Sequence, residues 1–96
     1  MRRIPRFESI VEKISTVFFV YVLLSLRDGK FYIGHTNRLD DRIKRHNEGR
    51  VPATRHRRPL TLVYSEKYTT RAEAVHRERF LKSLMGNQMF RDIIGV

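Results

Sequence analysis

The chain of 96 residues is long enough for one domain with a modest core, and its 41% hydrophobic content suits a globular fold. It contains no cysteine, which excludes disulfides, thiol catalysis and cysteine-based zinc sites. Twenty lysines and arginines against ten aspartates and glutamates give a net charge of +10, which favours a polyanionic partner, foremost nucleic acid.

The residues before 17 are predicted to be an appendage, and residues 17–96 are predicted to form one domain. Within the appendage, four apolar residues fall at helical spacing, so we expect a short helix: Phe7, Ile10, Val11 and Ile14. The start of the chain lacks the ordered regions of a signal peptide. The longest apolar run, 17–24, is far shorter than the ~20 residues that span a bilayer. We therefore expect a soluble, cytoplasmic protein with no membrane partner.

The domain has the predicted element order ββαβαα. Apolar and β-branched residues predict strands over 17–26, 30–34 and 60–68, and helical spacing predicts helices over 38–48, 70–85 and 87–94. Asp28-Gly29 is a hairpin turn signal, Thr36 or Asn37 is the expected cap of the first helix, and Thr70-Arg71-Ala72-Glu73 has the form of a capping box. The expected fold is α/β, a small, mainly antiparallel three-stranded sheet flanked by helices.

Two tyrosines fall on the predicted hairpin. With a two-residue turn at Asp28-Gly29, Ser25 lies opposite Tyr32, and the alternation of side chains along a strand places Tyr21 and Tyr32 on the same face. Each tyrosine taken alone is equally compatible with an ordinary strand aromatic.

The first predicted helix brings a cation and an imidazole to the sheet. At ~100° per residue, one arc of this helix holds Leu39, Arg42, Ile43 and His46. Because the two aliphatic residues must face the core, Arg42 and His46 lie at its edge, on the side nearest the sheet. The alternative is that neither residue is functional: Arg42 packs its aliphatic stem against the fold, and His46 is a surface histidine with its hydrogen bonds made.

A carboxylate interrupts the apolar stripe of the second predicted helix. Glu78 lies between Ala74 and Leu81 on the face that must pack against the sheet. A carboxylate that faces a core is costly unless it is paired or binds a metal. Lys82, one turn later, is the alternative partner, so Glu78 is either a metal ligand or one half of an ion pair.

Basic residues cluster over 38–58, where eight lysines and arginines stand against three acidic residues. Most of them are arginines, whose guanidinium groups bind phosphate bidentately. The predicted nucleic-acid contacts in this segment are Arg45, Arg55, Arg57 and Arg58. A merely basic soluble protein is the alternative.

These residues, in this order and spacing, resemble the GIY-YIG nuclease family. The motifs are Phe19-Val20-Tyr21 and Tyr32-Ile33-Gly34, then Arg42, then His46 followed by Asn47 and Gly49, and finally Glu78 within the run 77–82. The stretch from residue 18 to about 94 is similar to the small stand-alone bacterial (UPF0213-like) branch, which is related to the nuclease domain of the nucleotide-excision-repair protein UvrC. Phe19 replaces a glycine of the family motif, and His35 stands where repair nucleases tend to carry lysine.

The resemblance implies hydrolysis of a phosphodiester with one metal ion. Glu78 would hold Mg²⁺ or Mn²⁺, with waters in the other positions of the ion. Tyr21 would orient or deprotonate the attacking water, helped by His46, the metal and Arg42 as nearby cations, and Arg42 would stabilise the charge of the phosphorane. Tyr32 would fix the geometry, and Gly34 has a structural role. His35 and Lys82 complete the expected nucleic-acid contacts.

The expected function is that of a metal-dependent endonuclease acting on single-stranded, flap or branched DNA with low sequence specificity. RNA is a second candidate substrate. The alternative is a non-catalytic RNA-binding or ribosome-associated protein that keeps the fold. Glu78 and the tyrosines discriminate between the two, because a binding protein needs no carboxylate on a buried stripe. The oligomeric state is open, and residues 7–14 offer a dimer contact.

Overall fold

The computed structural model describes residues 17–96, and the predicted appendage with its short helix lies outside the described residues. The elements confirm the predicted order ββαβαα. They are β1 (Phe18–Ser25), β2 (Phe31–Thr36), α1 (Leu39–Asn47), one turn of 3-10 helix (Arg55–Arg57), β3 (Leu60–Tyr68), α2 (Arg71–Ser83) and α3 (Gln88–Ile94).

The three strands form one antiparallel sheet in the order β2-β1-β3, which confirms the predicted sheet. β1 is the central strand because its residues are the most apolar, and Val20, Tyr21, Val22 and Leu23 are fully buried. Within the described part of the chain, β2 and β3 are the two edge strands.

The hairpin register differs from the prediction by two residues. Leu23, rather than Ser25, lies opposite Tyr32, and Tyr21 lies opposite Gly34. The connection is longer than the predicted two-residue turn, because Ser25 already pairs with Lys30 and residues 26–29 form the loop, with Gly29 at φ 71°. A shift of two residues preserves the face of every side chain, so Tyr21 and Tyr32 do share a face.

The sheet separates two layers of helix. On one face, Tyr21, Leu23 and Leu60 pack with Leu39 and Ile43 of α1. On the other face, the sheet residues Val20, Val22 and Ile33 form the main core with four residues of α2 and α3, which are Ala74, Leu81, Phe90 and Ile94. The direction in which a strand residue points therefore decides which helical layer it meets.

Local side chains fix the helix ends. Thr70 and Glu73 form the predicted capping box at the start of α2, and the Asn87 side chain accepts from the backbone N–H of Met89 to cap α3. The cap of α1 is Arg38 rather than Thr36 or Asn37, because Thr36 is still paired within β2 and uses its hydroxyl to accept from the Arg38 N–H. No helix within residues 17–96 is long and apolar enough to cross a membrane.

Candidate active site

A chain of three buried polar side chains runs across the sheet face that α1 covers. Tyr21 of β1, His46 in the last turn of α1 and Thr54 in the following loop are all fully buried. The Tyr21 hydroxyl lies 2.9 Å from His46 Nε2, and His46 Nδ1 lies 2.7 Å from the Thr54 hydroxyl. When Nε2 accepts from the phenol, Nδ1–H donates to Thr54; the other tautomer reverses both bonds. The sequence did not reveal Thr54, because a single threonine in a polar loop carries no periodic signal.

Burial sets the protonation states of Tyr21 and His46. It lowers the pKa of His46 to about 4, and the positive charges of Arg42 and Arg45 act in the same direction. His46 is therefore neutral near pH 7, which corrects the expectation that it acts as a cation beside Tyr21. Burial, followed by the neighbouring Tyr32, raises the pKa of Tyr21 above its ordinary value, although the charge of Arg42 opposes the shift. Tyr21 is therefore a protonated phenol at neutral pH.

The other two predicted catalytic residues, Tyr32 and Arg42, lie beside Tyr21 and His46. The Tyr32 ring centroid lies 5.0 Å from that of His46 and 6.4 Å from that of Tyr21. Arg42 lies one helical turn before His46, is partly exposed, and is close enough for its charge to act on both buried groups. The structure thus brings Tyr21, Tyr32, Arg42 and His46 together on one face of the hairpin.

Gly34 makes room for the Tyr21 phenol. A Cβ atom built at Gly34 would lie 2.6 Å from the Tyr21 hydroxyl oxygen and 2.8 Å from Cζ of the same ring. Real Cβ atoms do not approach other heavy atoms this closely. Any side chain at this position of β2 would therefore displace the phenol from its place above the strand.

Glu78 of α2 belongs to the opposite layer, where it meets the strand residue next to Gly34. One carboxylate oxygen of Glu78 lies 2.5 Å from His35 Nδ1, and the other lies 2.6 Å from the Lys82 ammonium. Only 14% of the Glu78 side chain is exposed. Burial raises the pKa of this carboxyl group, but Lys82 and His35 outweigh it and hold the pKa below its ordinary value. Glu78 is therefore ionised at neutral pH.

The two layers are coupled at the outer edge of β2. Gly34 and His35 are consecutive, so they face opposite layers of the fold. The negative charge of Glu78 also contributes to the raised pKa of Tyr21, so the carboxylate and the phenol are within electrostatic reach of each other. Tyr32 and His35 thus place the two groups of side chains on opposite faces of this edge strand.

The donor set at Glu78 suits a hard divalent ion that keeps most of its waters. Within residues 17–96, no group of three or more His, Asp or Glu side chains could hold an ion by itself. Mg²⁺ is commonly bound through one or two carboxylates plus water and substrate phosphate, so a single ionised carboxylate fits. The Lys82 ammonium, on a side chain that is 51% exposed, occupies one of the two oxygens, and His35 Nδ1 occupies the other.

The predicted phosphate contacts divide into two groups. Arg45 and Arg55 are exposed, as is Lys82 on α2. Arg57, in contrast, is used within the fold, because its guanidinium donates to the Asp28 carboxylate and to the Phe31 carbonyl. Arg58 donates to the Arg55 carbonyl and lies against Gly49, where a Cβ would come within 2.7 Å of the guanidinium. Sequence proximity could not separate these roles.

Two tyrosines on the antiparallel hairpin, an arginine and a histidine on α1 and a single carboxylate on α2 make up the candidate site, and this set is the one expected of a GIY-YIG nuclease domain. The family model described as the GIY-YIG catalytic domain matches residues 17–90, and the chain belongs to the GIY-YIG family.

Similar proteins come from several bacteria. A UPF0213 protein of Bacillus licheniformis is 42% identical over 65 residues, covering 67% of this chain and 67% of that protein. A UPF0213 protein of Clostridium perfringens is 44% identical over 71 residues, covering 73% and 75%. A UPF0213 protein of Staphylococcus epidermidis is 38% identical over 76 residues, covering 78% and 92%. No solved structure gives a significant match.

Proposed function

We propose that the chain is a metal-dependent endonuclease that hydrolyses DNA phosphodiester bonds, with a preference for single-stranded, flap or branched DNA. The observation that carries this proposal is the buried chain Tyr21–His46–Thr54, held beside Arg42 and within electrostatic reach of the ionised Glu78. A strand that used Tyr21 only for packing would need neither a buried imidazole at its hydroxyl nor a glycine beneath its ring.

The geometry gives Tyr21 a role in handling the attacking water. Its hydroxyl is a protonated phenol that can accept a hydrogen bond from water while it donates to His46 Nε2. His46, held in turn by Thr54, fixes the orientation of the phenol, so that the hydroxyl oxygen stays directed to accept from the attacking water. Positioning a water in this way also lowers the entropic part of the barrier.

The remaining side chains suit the charge that develops on the phosphate. Arg42 is partly exposed beside the phenol, where a guanidinium can stabilise the additional negative charge of the transition state. Tyr32 borders the same space and can donate a hydrogen bond to a phosphate oxygen. A Mg²⁺ or Mn²⁺ ion held by Glu78 would supply Lewis-acid stabilisation of the leaving 3′ oxygen.

Binding of the substrate follows from the charge of the chain. The net charge of +10 and the exposed Arg45, Arg55 and Lys82 favour contacts with phosphates rather than with base edges. Phosphate contacts carry no sequence information, so the proposed specificity is for the shape of the nucleic acid. RNA has the same phosphates and is the second substrate to test.

One observation favours a second candidate function, a non-catalytic RNA-binding or ribosome-associated protein with the same fold. Both oxygens of Glu78 are paired with cationic or hydrogen-bonding partners, which satisfies the carboxylate without a metal. The nuclease proposal accounts for the Tyr21–His46–Thr54 chain and for Gly34, whereas the binding proposal leaves both without a use.

A cleavage panel tests the proposal. Labelled single strands, flaps, junctions, duplex DNA and RNA are incubated with the protein in Mg²⁺, in Mn²⁺ and in EDTA. We expect cleavage of at least one DNA form that depends on the metal and is lost in Glu78→Ala. The matched control is Glu48→Ala, which removes an exposed carboxylate on the other side of the fold. If the wild-type protein binds these substrates and cuts none of them, the binding function replaces the nuclease.

A further inference from the structure

A cationic pocket lies at the hairpin end of the sheet, away from Glu78 and the tyrosines. Its volume is about 560 Å³, within the range of small-molecule sites in proteins. The β1–β2 loop, the start of β2 and the segment that joins α2 to α3 form its walls. The side chains that matter to the argument are Lys30, Phe31, Met85, Phe90 and Arg91.

The walls of this pocket combine flat apolar surface with positive charge. The Phe31 ring packs edge-on against Phe90 at 5.3 Å, and the Arg91 guanidinium lies 5.7 Å from the centre of the Phe31 ring. Met85 is 41% exposed, and its flexible thioether side chain can adapt to a flat ligand. Aromatic rings and guanidinium planes are surfaces on which nucleobases stack.

The charge of the pocket has one sign. Its lining includes three cationic residues and no carboxylate. Arg57 is balanced by Asp28, but within residues 17–96 neither Lys30 nor Arg91 has a carboxylate at ion-pair distance. Two uncompensated cations beside an apolar wall fit a phosphate attached to a base, rather than a neutral or cationic ligand.

The position of the pocket relates it to the candidate active site. Phe31 and His35 lie on the same face of β2, four residues apart, which places the pocket ~13 Å from the pair formed by His35 and Glu78. At a rise of ~3.4 Å per nucleotide, this distance corresponds to about four steps of a stacked strand, and to fewer steps of an extended one.

We propose that this pocket binds one unpaired nucleotide of the substrate strand, with its base against Phe31 and Met85 and its phosphate on Lys30 and Arg91. This inference rests on the proposed function and goes further, because it makes an unpaired base near the cut a requirement for tight binding. A base inside a duplex cannot enter, since it would first have to be unstacked and unpaired.

Binding in EDTA tests the proposal without any cleavage. The probes are a 12-nucleotide single strand and the blunt duplex of the same sequence, and the variant is Lys30→Gln/Arg91→Gln. The control, Lys67→Gln/Arg71→Gln, removes the same residue types at the opposite end of the sheet. We expect the first variant to bind the single strand on the order of tenfold more weakly than the control does, and to match the control on the duplex. Equal losses in both variants on the single strand would overturn the proposal.

The methyl resonance of Met85 provides a second measurement. We expect it to shift when the single strand binds the wild-type protein, and to stay in place with the duplex. A shift with free deoxynucleotide but none with the strand would make this a site for a free nucleotide and would overturn the assignment to the strand. Failure of the nuclease proposal can be told apart from failure of this one. If the Met85 resonance shifts with the single strand and the protein cuts no substrate, the nucleotide site is supported and the nuclease proposal is contradicted.

Discussion

The Tyr21 hydroxyl and His46 Nε2 lie 2.9 Å apart in a fully buried environment, although 25 positions separate the two residues in the sequence. This contact joins the central strand to the first helix. It is also the contact that the smallest substitution can break.

Tyr21→Phe removes one oxygen and keeps the ring. We expect turnover to fall by on the order of 10²–10⁴, the range for a positioned acid or base, while DNA affinity measured in Ca²⁺ changes little. The free energy of unfolding should fall by about 1–3 kcal/mol, because a buried nitrogen of His46 loses its partner. Tyr64→Phe is the matched control, since it removes a hydroxyl that bonds to Glu66 away from the site. Equal losses of affinity and turnover in Tyr21→Phe would point to a DNA contact instead.

Glu78→Ala is expected to abolish metal-dependent cleavage and to keep the fold. The stability should change by about 1 kcal/mol or less, because Lys82 is half exposed and water can replace the carboxylate at its ammonium. Urea denaturation measures the stability, and single-turnover cleavage across a Mg²⁺ titration measures the activity. A variant that cuts at the wild-type rate would remove Glu78 from the mechanism.

Gly34→Ala tests whether the Tyr21 phenol needs the space that a glycine leaves beneath it. The added Cβ would meet the Tyr21 hydroxyl oxygen at 2.6 Å, so either β2 or the ring must move. We expect a loss of about 1–3 kcal/mol in the free energy of unfolding and a fall in turnover comparable to that of Tyr21→Phe. Wild-type stability together with wild-type cleavage would show that the phenol has space that the structure does not indicate.

Because His46 is buried, we expect the protein to lose stability as the pH falls. Burial, followed by Arg42 and Arg45, lowers its pKa to about 4, whereas an unfolded histidine titrates near 6.5. Between these values the unfolded chain binds a proton that the folded chain does not, so the stability falls as the pH is lowered from about 6.5 to about 4. The contribution of His46 is on the order of 3 kcal/mol.

His46→Gln isolates this contribution. Urea denaturation across the same pH interval should show a shallower loss of stability in this variant than in the wild-type protein, because the carboxyl groups are common to both. His56→Gln removes an exposed histidine and serves as the control. Identical pH profiles for wild type and His46→Gln would mean that His46 takes up a proton as readily in the fold as in the unfolded chain.

The arginines of α1 and of the segment before β3 should behave in two ways. Arg45→Gln/Arg55→Gln should flatten the plot of log affinity against log salt by about 0.7–0.9 per lost phosphate contact and leave the stability intact. Arg57→Gln should lower the free energy of unfolding by about 1 kcal/mol or more, since it breaks the bonds to Asp28 and to the Phe31 carbonyl. Its salt slope should stay close to that of the wild-type protein. A flatter salt slope for Arg57→Gln would show that Arg57 does contact DNA phosphates.

Local signals predicted the fold well. The capping box at Thr70 and the bounds of β3 depend on neighbouring residues alone, and both are confirmed. The hairpin register depends on a loop conformation that Gly29 adopts at positive φ, which residue types alone do not specify, and the predicted pairing was two residues out. The two-residue period of the strand nevertheless preserved the faces.

The candidate site was predictable where the regular repeat of a strand or helix decides which way a side chain faces. The alternation of β1 and β2 and the helical repeat of α1 placed four side chains on one face, and the structure groups them there. Thr54 and the His35 partner of Glu78 come from tertiary contacts that no period encodes, whereas the Lys82 partner lies one helical turn after Glu78 and was predicted as the alternative. The neutrality of His46 depends on its burial, which its position on a helix edge did not reveal. The cytoplasmic location, the metal and the DNA substrate stay predictions.

The open side of β2 has a consequence for self-association. In the described part of the chain, β2 pairs with β1 alone, and Gly34 and His35 place the candidate site along its unpaired side. A second copy that added a strand here would gain main-chain hydrogen bonds and would also seal the site. A permanent cover would exclude the substrate of the proposed nuclease, and mutual repulsion between copies, each carrying +10, would oppose such a cover. Polyanions that screen this repulsion without being cut should therefore act both as inhibitors and as promoters of aggregation.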